Sequence, residues 1–302
     1  MSSRVKSETV AVVGAGLMGT GIAHAFATAG HPVLLVDTHP RALQAARETI
    51  GNIIADGVRR SKITADEGDR ALGRVTAHPD LATALRSAPV TLLLETAAES
   101  LDVKKGILAI ADPLLSEEAL IATNTSALSV TEIAAASSRP RRVLGMHFFN
   151  PVHKMKLLEI VRGLETSDEA LADALRWGEA IGKTSIVVNE APGLTTSRMS
   201  ALLGNEAMYM LMEGTASAED IDTALRLGFN HPMGPLELGD LTGWDTRLAV
   251  LKYLHTTLGE KFRPCPLIVK LVNSGRVGLK VGRGVYEYAD GKRVPGSGLK
   301  PR

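Results

Sequence analysis

The sequence predicts an α/β fold, in which a doubly wound parallel sheet is followed by an all-helical C-terminal domain. In the first part of the chain, short apolar runs alternate with longer amphipathic stretches. Most of these runs are continuous, which is typical of strands covered on both faces, and their separation by helical stretches indicates right-handed βαβ units. Beyond residue 193, long helical patterns replace the strand-like runs.

The elements can be assigned in chain order. The segment Pro40–Leu85 is rich in Ala, Arg, Glu and Asp at helical spacing and predicts charged helices inserted after the second strand. Near the C-terminus, Val285–Tyr288 is a short strand-like segment, and Asp290–Arg302 lacks an apolar pattern and is predicted to be frayed. The strands of the sheet are predicted at Thr9–Val13, Val33–Val36, Val90–Leu94, Leu120–Ala122, Val143–Met146, Leu157–Val161 and Thr184–Val188.

A domain boundary is predicted near Asn189–Gly193. It divides the chain into a sheet domain, residues 1–189, and a helical domain, residues 190–302. In the helical domain, Ser197–Gly214 and Ala218–Leu227 have helical patterns with unusually apolar faces, which either a core or a subunit interface would cover.

The composition excludes several classes of function. A formal net charge of +1 over 302 residues does not provide the basic face that non-specific nucleic-acid binding requires. Cys265 is the only cysteine, which excludes an intramolecular disulfide, and no Cys/His cluster has metal-ligand spacing. The segment Met1–Thr9 is polar, and no apolar run is long enough to span a bilayer, so we expect a cytoplasmic protein without a metal or a membrane partner.

A glycine motif indicates a nucleotide site. The strand that begins at Val10 runs directly into Gly14-x-Gly16-x-x-Gly19, and a helical stretch, Thr20–Thr28, follows. Gly14 allows a tight turn, Gly16 lets the backbone approach a pyrophosphate, and Gly19 lets the helix pack close to the strand. This strand–turn–helix arrangement predicts a Rossmann-type sheet. Leu17 and Met18, inside the motif, are included among the predicted cofactor-binding residues.

Asp37 favours NAD over NADP. It ends the second strand, eighteen residues after Gly19, where a carboxylate accepts hydrogen bonds from the adenosine ribose and repels a 2′-phosphate. The alternative is that Asp37 caps a helix that begins before Arg41. Because the positively charged Arg41 lies nearby, NADP is not excluded as a cofactor.

A histidine and a glutamate form the candidate acid–base pair. His147 follows an apolar strand at the edge of the sheet where ligands collect, and Glu159 lies twelve residues later inside another apolar run. A carboxylate in such a run is costly unless it has a partner. Glu159 would fix the imidazole tautomer while the other ring nitrogen takes a proton from a substrate hydroxyl. The alternatives are a core histidine bonded to a backbone carbonyl and a water-facing Glu159.

Taken together, several motifs in one order resemble the 3-hydroxyacyl-CoA dehydrogenase family, particularly its single-function bacterial 3-hydroxybutyryl-CoA dehydrogenases. The resemblance covers the chain from about Val10 to Tyr288. The motifs are the glycine turn Gly14–Gly19, Thr123–Ser126, Gly145–Pro151 with Lys156–Glu159, His231–Pro235 followed by Asp240 and Asp245, and Gly282–Gly284 before Tyr286.

The resemblance implies a role for each matching residue. It implies that His147 is the catalytic base with Glu159 as its partner, and that Ser126 hydrogen-bonds the C3 oxygen of the substrate. Asn124, Ser126 and Asn150 would contact the cofactor, as would Glu99 and Lys104. For the last two, a solvated charge pair on a helix is the alternative.

The implied reaction is the reversible oxidation of an (S)-3-hydroxyacyl-CoA by NAD in a homodimeric enzyme. Its stereochemistry, its CoA handle and the short acyl chain come from the resemblance alone. Arg59, Arg60 and Lys62 are candidates for the CoA phosphates, and an ordinary solvated helix face explains them as well. Two alternatives stay open, namely the same chemistry on a carrier-protein thioester or free hydroxy acid, and a non-catalytic nucleotide-binding protein.

One departure from the family pattern concerns the substrate. The family has an asparagine followed by an arginine after the Pro192–Gly193 turn, where this chain has Ser197 and Arg198. Ser197 is therefore the candidate for the contact with the reacting oxygen, with a shorter reach than an amide. Asn205 lies about 12 Å further along the helix, too far to replace it. We expect an effect on rate and substrate preference rather than on reaction type.

His153 also departs from the family pattern, because it stands where relatives commonly have a proline. We expect it in an exposed loop.

Overall fold

The computed structural model describes residues 8–300, so most of the polar N-terminal segment and the last two residues of the tail lie outside it. The chain divides after Glu190 into two compact units. This position falls inside the stretch where the sequence indicates a domain boundary. The two units are described separately.

The first unit is built on a twisted sheet with helices on both faces. Among residues 8–190 the sheet has eight strands in the order β3-β2-β1-β4-β5-β6-β7-β8, of which β1 to β6 are parallel and β7 and β8 run the opposite way. This arrangement confirms the predicted doubly wound sheet. The strands are β1 Thr9–Val13, β2 Val33–Val36, β3 Val75–His78, β4 Val90–Glu95, β5 Leu120–Thr123, β6 Val143–Phe148, β7 Leu157–Arg162 and β8 Thr184–Asn189.

Helices fill the connections between the strands. The helices of the first unit are α1 Leu17–Thr28, α2 Pro40–Arg59, α3 Ala65–Gly73, α4 Leu81–Ser87, α5 Leu101–Ala111, α6 Val130–Ala134 and α7 Asp168–Ala180, with 3-10 turns at Asp112–Leu114 and Pro140–Arg142.

Successive residues of the central strands enter different cores. Val10 and Val12 belong to one buried cluster, whereas Ala11 and Val13 belong to the other. Because neighbouring side chains of a strand point to opposite faces, both faces of the sheet are covered. This explains why the central strands appear in the sequence as continuous apolar runs.

The prediction for Pro40–Leu85 was wrong in one respect, because this segment contains strand β3 as well as helices. The strand lies at the edge of the sheet beside β2 and reads Val-Thr-Ala-His, with Val75 as its buried residue. An edge strand has only one hydrogen-bonded neighbour and little apolar surface to bury. It therefore lacks the apolar run from which the other strands were recognised.

The second unit is mainly helical, as the sequence predicts. Trp244 and Tyr286 are among its largest fully buried side chains. The helices of residues 191–300 are α8 Thr196–Glu213, α9 Ala218–Gly228, α10 Pro235–Thr242, α11 Trp244–Leu258 and α12 Pro266–Asn273, with 3-10 turns at Glu260–Phe262 and Leu279–Val281.

The expected frayed tail and the all-helical character both need correction near the C-terminus. Strands β9 Tyr288–Ala289 and β10 Lys292–Arg293 form a small antiparallel hairpin. The preceding segment is held by the buried carboxylate of Asp240, which accepts hydrogen bonds from the N–H groups of Val285 at 2.8 Å and Tyr286 at 2.9 Å. Burial raises the pKa of Asp240, and these donors partly offset that rise. Such polar anchors leave no apolar pattern in the sequence.

Two further searches cover residues 8–300. None of their helices combines the length and the apolar character that crossing a bilayer requires. Within the same residues, no group of three or more His, Cys, Asp or Glu side chains is placed to hold a metal ion.

Candidate active site

The glycine turn joins β1 to α1 as the motif predicts. Gly14 has a φ of +107°, and its N–H donates to the carbonyl of Val36 on the neighbouring strand. Gly16 is the N-cap of α1, and the first turn of the helix carries Leu17 and Met18 rather than an acidic residue. Leu17 is 70% exposed. A helix start of this kind presents N–H groups and positive dipole to an anion, so the turn fits a pyrophosphate.

Gly19 has a steric role that can be tested. A Cβ atom at Gly19 would lie 1.8 Å from the carbonyl oxygen of Gly14, whereas a Cβ at Gly16 would have nothing within 4 Å. We expect Gly19→Ala to lower the free energy of unfolding by about 1–3 kcal/mol, because the turn is overpacked, and to weaken NADH binding. Gly16→Ala should change the stability far less while still hindering the approach of a pyrophosphate. Denaturant unfolding and NADH titration of both variants check this, and equal stability losses would contradict it.

Asp37 is tied to the glycine turn. Its Oδ2 accepts a hydrogen bond from the N–H of Ala15 at 2.8 Å, and its Oδ1 accepts one from the N–H of His39 at 2.8 Å. The N-cap of α2 is His39, so the alternative in which Asp37 caps this helix was wrong. The carboxylate thus lies at the end of β2 beside the turn, where a ribose diol would be recognised.

His147 and Glu159 are paired by the register of the sheet. In the antiparallel pair β6–β7 the two residues lie directly opposite each other, so their side chains emerge on the same face. Nδ1 of His147 lies 2.7 Å from Oε2 of Glu159, whose side chain is fully buried. A carboxylate accepts a hydrogen bond, so Nδ1 carries the proton and Nε2 is left as the basic nitrogen. This contact excludes both alternatives considered for the pair, a carbonyl-bonded histidine and a water-facing glutamate.

The sequence analysis missed a buried ion pair in this unit. Nζ of Lys104 lies 2.8 Å from Oε2 of Glu95, and both side chains are fully buried. The alternative of a solvated pair on a helix was therefore wrong for Lys104. Glu95 is the last residue of β4, one residue beyond the predicted strand. The available signal was a carboxylate at the carboxyl end of a strand, the same signal that identified Asp37.

The loop that carries Ser126 is bound to Glu99. Oε1 of Glu99 accepts hydrogen bonds from the hydroxyl of Thr125 at 2.5 Å and from the N–H of Ser126 at 3.2 Å. Oε2 of the same carboxylate lies 3.5 Å from Nζ of Lys104. Ser126 is exposed at the carboxyl edge of the sheet, so its hydroxyl can reach a ligand there.

Asn124 connects this loop to the strand of the histidine. Its Oδ1 accepts a hydrogen bond from the N–H of Phe148 at 2.9 Å, and its own N–H donates to the carbonyl of Glu95. Asn150 follows β6 and is exposed. The first unit therefore brings together His147 and Glu159 on neighbouring strands and Asn124, which directly follows the end of β5. Asn150 lies two residues beyond the end of β6, the strand that carries His147.

Ser197 belongs to the second unit, where it is the second residue of α8 and half-buried. Its contact with the reacting oxygen therefore stays a prediction. Asn205 is occupied within the same unit, since Nδ2 donates to the carbonyl of Arg263 and Oδ1 accepts from the N–H of Cys265. These bonds confirm that Asn205 does not replace the family asparagine.

Two other histidines lie near the segment that follows β6. His24 on α1 is buried, and burial, aided by His153 and Lys183, lowers its pKa to about 4. His153 is exposed, as expected, and its pKa is also lowered, mainly by desolvation. Both rings are neutral at neutral pH, so neither adds a positive charge to the candidate site.

Comparison with known proteins identifies the family of the chain. The model of the 3-hydroxyacyl-CoA dehydrogenase NAD-binding domain matches residues 9–191, and the model of the 3-hydroxyacyl-CoA dehydrogenase C-terminal domain matches residues 193–288. A 3-hydroxybutyryl-CoA dehydrogenase of Bradyrhizobium diazoefficiens is 41% identical over 287 residues, which cover 95% of this chain and 97% of the relative. One of Clostridioides difficile is 38% identical over 283 residues, covering 92% and 99%.

A solved structure has the same fold. The crystal structure of an (S)-3-hydroxybutyryl-CoA dehydrogenase of Ralstonia eutropha matches with a TM-score of 0.89 and 40% identity, and the match covers 94% of this chain and 100% of the other. The matches confirm the predicted cofactor, NAD, and the predicted enzyme class, a dehydrogenase. The chain belongs to the 3-hydroxyacyl-CoA dehydrogenase family.

Proposed function

We propose that this protein catalyses the reversible, NAD-dependent oxidation of an (S)-3-hydroxyacyl-CoA with a short acyl chain, such as 3-hydroxybutyryl-CoA, to the 3-oxoacyl-CoA. The observation that carries the proposal is the His147–Glu159 hydrogen bond of 2.7 Å at the carboxyl edge of a sheet whose first turn fits a dinucleotide. The (S) configuration and the CoA thioester follow from the relatives whose names state them.

The acid–base step is assigned to His147. Nε2 removes the proton from the C3 hydroxyl during oxidation and returns it to the oxygen during reduction. Glu159 accepts the hydrogen bond from Nδ1 throughout, which keeps Nε2 available and stabilises the imidazolium that forms. Because Glu159 is fully buried, little solvent screens this interaction.

The remaining residues bind and orient the reactants. The hydroxyl of Ser126 donates a hydrogen bond to the C3 oxygen, and Ser197 provides the contact that an asparagine provides in the family pattern. The glycine turn, Asp37, Asn124, Asn150 and Glu99 hold the dinucleotide. Lys104 was predicted to contact it as well, but its side chain is fully buried, so it acts only through its contact with Glu99. When NAD is bound, its nicotinamide accepts the hydride from C3.

The direct test measures NADH oxidation with acetoacetyl-CoA. We expect turnover with this substrate and much weaker turnover with acetoacetate or with an acetoacetyl carrier protein. A preference for either of the latter would replace CoA in the proposal. Binding of NADH without turnover of any of the three would support the non-catalytic alternative.

The choice of cofactor is tested at Asp37. Asp37→Ala removes the acceptors of the ribose hydroxyls and the bond to the N–H of Ala15. We expect the KM for NADH to rise on the order of 10-fold, since a hydrogen bond to a charged group contributes about 1.5–3 kcal/mol. Asp37→Asn is the matched variant, because its amide oxygen can still accept from Ala15 while the charge that repels a 2′-phosphate is gone. Steady-state kinetics with NADH and NADPH should show improved use of NADPH in both variants, and unchanged discrimination would contradict the role.

The proposal includes a homodimer formed by the helical unit. This unit exposes apolar side chains, among them Met199 on α8, which is 55% exposed, and Phe229 directly after α9, which is 73% exposed. Burial of such side chains against a second copy would stabilise a dimer. A solution-mass measurement that finds a monomer at all concentrations would contradict the proposed dimer.

The proposed compartment is the cytoplasm, which cell fractionation would test.

A further inference from the structure

The buried ion pair between Glu95 and Lys104 lies in a network of hydrogen bonds. Oε2 of Glu95 accepts hydrogen bonds from Nζ of Lys104 at 2.8 Å and from the hydroxyl of Thr123 at 2.7 Å. Oε1 accepts one from the N–H of Ala97 at 2.6 Å. Both carboxylate oxygens therefore have donors, which is what a fully buried charge requires.

The pair is connected to the loop of Ser126. Nζ of Lys104 lies between two carboxylates, with Oε2 of Glu95 at 2.8 Å and Oε2 of Glu99 at 3.5 Å. Glu99 in turn accepts the N–H of Ser126 at 3.2 Å. Glu99 is 42% exposed at its side chain, so without the ammonium group it would be repelled by Glu95 and could turn to solvent.

Stability of the fold is an insufficient reason for such a network. Replacing a buried ion pair by apolar side chains is often neutral or stabilising, so a buried pair by itself contributes little. The partners of this pair also share one location. Ala97 and Glu99 belong to the loop after β4, whereas Thr123 ends β5 directly before the loop of Ser126. Both loops follow the carboxyl ends of parallel strands, where this unit carries its candidate site.

We propose that Glu95 is a positioning residue for the reaction. Through Lys104 it holds Glu99 in place, and the carboxylate of Glu99 fixes the main chain of Ser126, which sets the position of the Ser126 hydroxyl. The proposal rests on the proposed function, because that function gives the hydroxyl its contact with the C3 oxygen of the substrate.

Glu95→Gln tests the proposal, since it keeps the shape of the side chain but has only one acceptor oxygen. Its NH2 group must face either the N–H of Ala97 or the ammonium of Lys104, so one of the contacts that hold this network is lost. We expect kcat to fall on the order of 10- to 100-fold, the cost of a misplaced group near the reacting atoms. The KM for NADH should rise as well, because Glu99 is also one of the groups proposed to hold the dinucleotide. In a Ser126→Ala background the same substitution should change kcat by no more than about twofold, because the hydroxyl that it positions is already missing. Equal losses in both backgrounds would overturn the proposal.

A second readout does not depend on turnover. Amide hydrogen exchange of the segment 124–129 should be faster in Glu95→Gln than in the parent protein, and unchanged exchange there would overturn the positioning role. If the parent protein fails to oxidise NADH with acetoacetyl-CoA, the proposed function fails, and the exchange measurement still decides the role of Glu95.

Two variants complete the design. Thr123→Val removes one hydrogen bond to Glu95 and keeps the charges, so it replaces Glu95→Gln if that protein does not fold, with a smaller loss of kcat that again vanishes in the Ser126→Ala background. Asp112→Asn is the matched control. Asp112 is a buried carboxylate directly after α5 that accepts hydrogen bonds from Ser137 and Ser138. Asp112→Asn should lower the free energy of unfolding but leave kcat and the amide hydrogen exchange of residues 124–129 unaltered.

Discussion

His147→Ala should lower kcat for NADH oxidation with acetoacetyl-CoA by about 10²- to 10⁴-fold, the range that a positioned general acid or base contributes. The expected loss is large because Nε2 is the nitrogen that the bond to Glu159 leaves basic. NADH affinity should be retained, since the bond between Asp37 and the glycine turn does not involve the imidazole. Steady-state kinetics and NADH titration measure the two quantities.

The control for this variant is His153→Ala. His153 lies six residues further along the chain, is exposed, and is neutral at neutral pH because its pKa is lowered. Its removal should leave kcat unchanged. Full activity of His147→Ala, or an equal loss in both variants, would remove His147 from the proposed mechanism.

Glu159→Gln should be nearly as damaging, with kcat reduced by roughly 10²- to 10⁴-fold. An amide at this position can donate a hydrogen bond to Nδ1 and so favour the tautomer whose proton is on Nε2. That tautomer cannot accept the substrate proton, and the imidazolium also loses its buried counter-charge. The carboxylate-to-amide change in the catalytic triad of a serine protease follows the same logic on another fold.

Asp112→Asn is again the control for Glu159→Gln. Both substitutions remove one charge from a carboxylate of the first unit, yet the bonds of Asp112 go to Ser137, Ser138 and Arg139 rather than to the histidine. We expect thermal unfolding to shift in both variants and kcat to fall only in Glu159→Gln. A proportional loss of kcat in both would mean that Glu159 stabilises the unit without acting on His147.

The glycine turn shows what can be predicted from neighbouring residues. Gly14 makes the turn tight, Gly16 leaves room for an anion and Gly19 allows close packing of the helix. Each of these requirements involves residues that are close in the sequence, so the motif can be recognised from the sequence. The structure has this turn, with a Gly14 φ of +107° and a Cβ clash at Gly19. Continuous apolar runs likewise indicated the central strands, because a strand that is buried on both faces has apolar residues at successive positions.

The pairing of His147 with Glu159 was inferred from two separate anomalies in the sequence, but its geometry depends on register. Only the antiparallel alignment of β6 with β7 places the two residues opposite each other. A shift by one residue would turn Glu159 to the other face of the sheet. The residues were therefore predictable, whereas the 2.7 Å contact depends on the assembled sheet.

The doubly wound sheet, the helical second part, the glycine turn and the candidates His147, Glu159 and Asp37 could all be predicted from the order of the residues. The edge strand β3, the C-terminal hairpin and the burial of Lys104 against Glu95 could not, and they became visible in the folded chain. The physical reason is the range of the interactions. Periodicity and turn chemistry act between neighbours in the chain, whereas a buried charge or an edge strand is stabilised by partners that folding brings close.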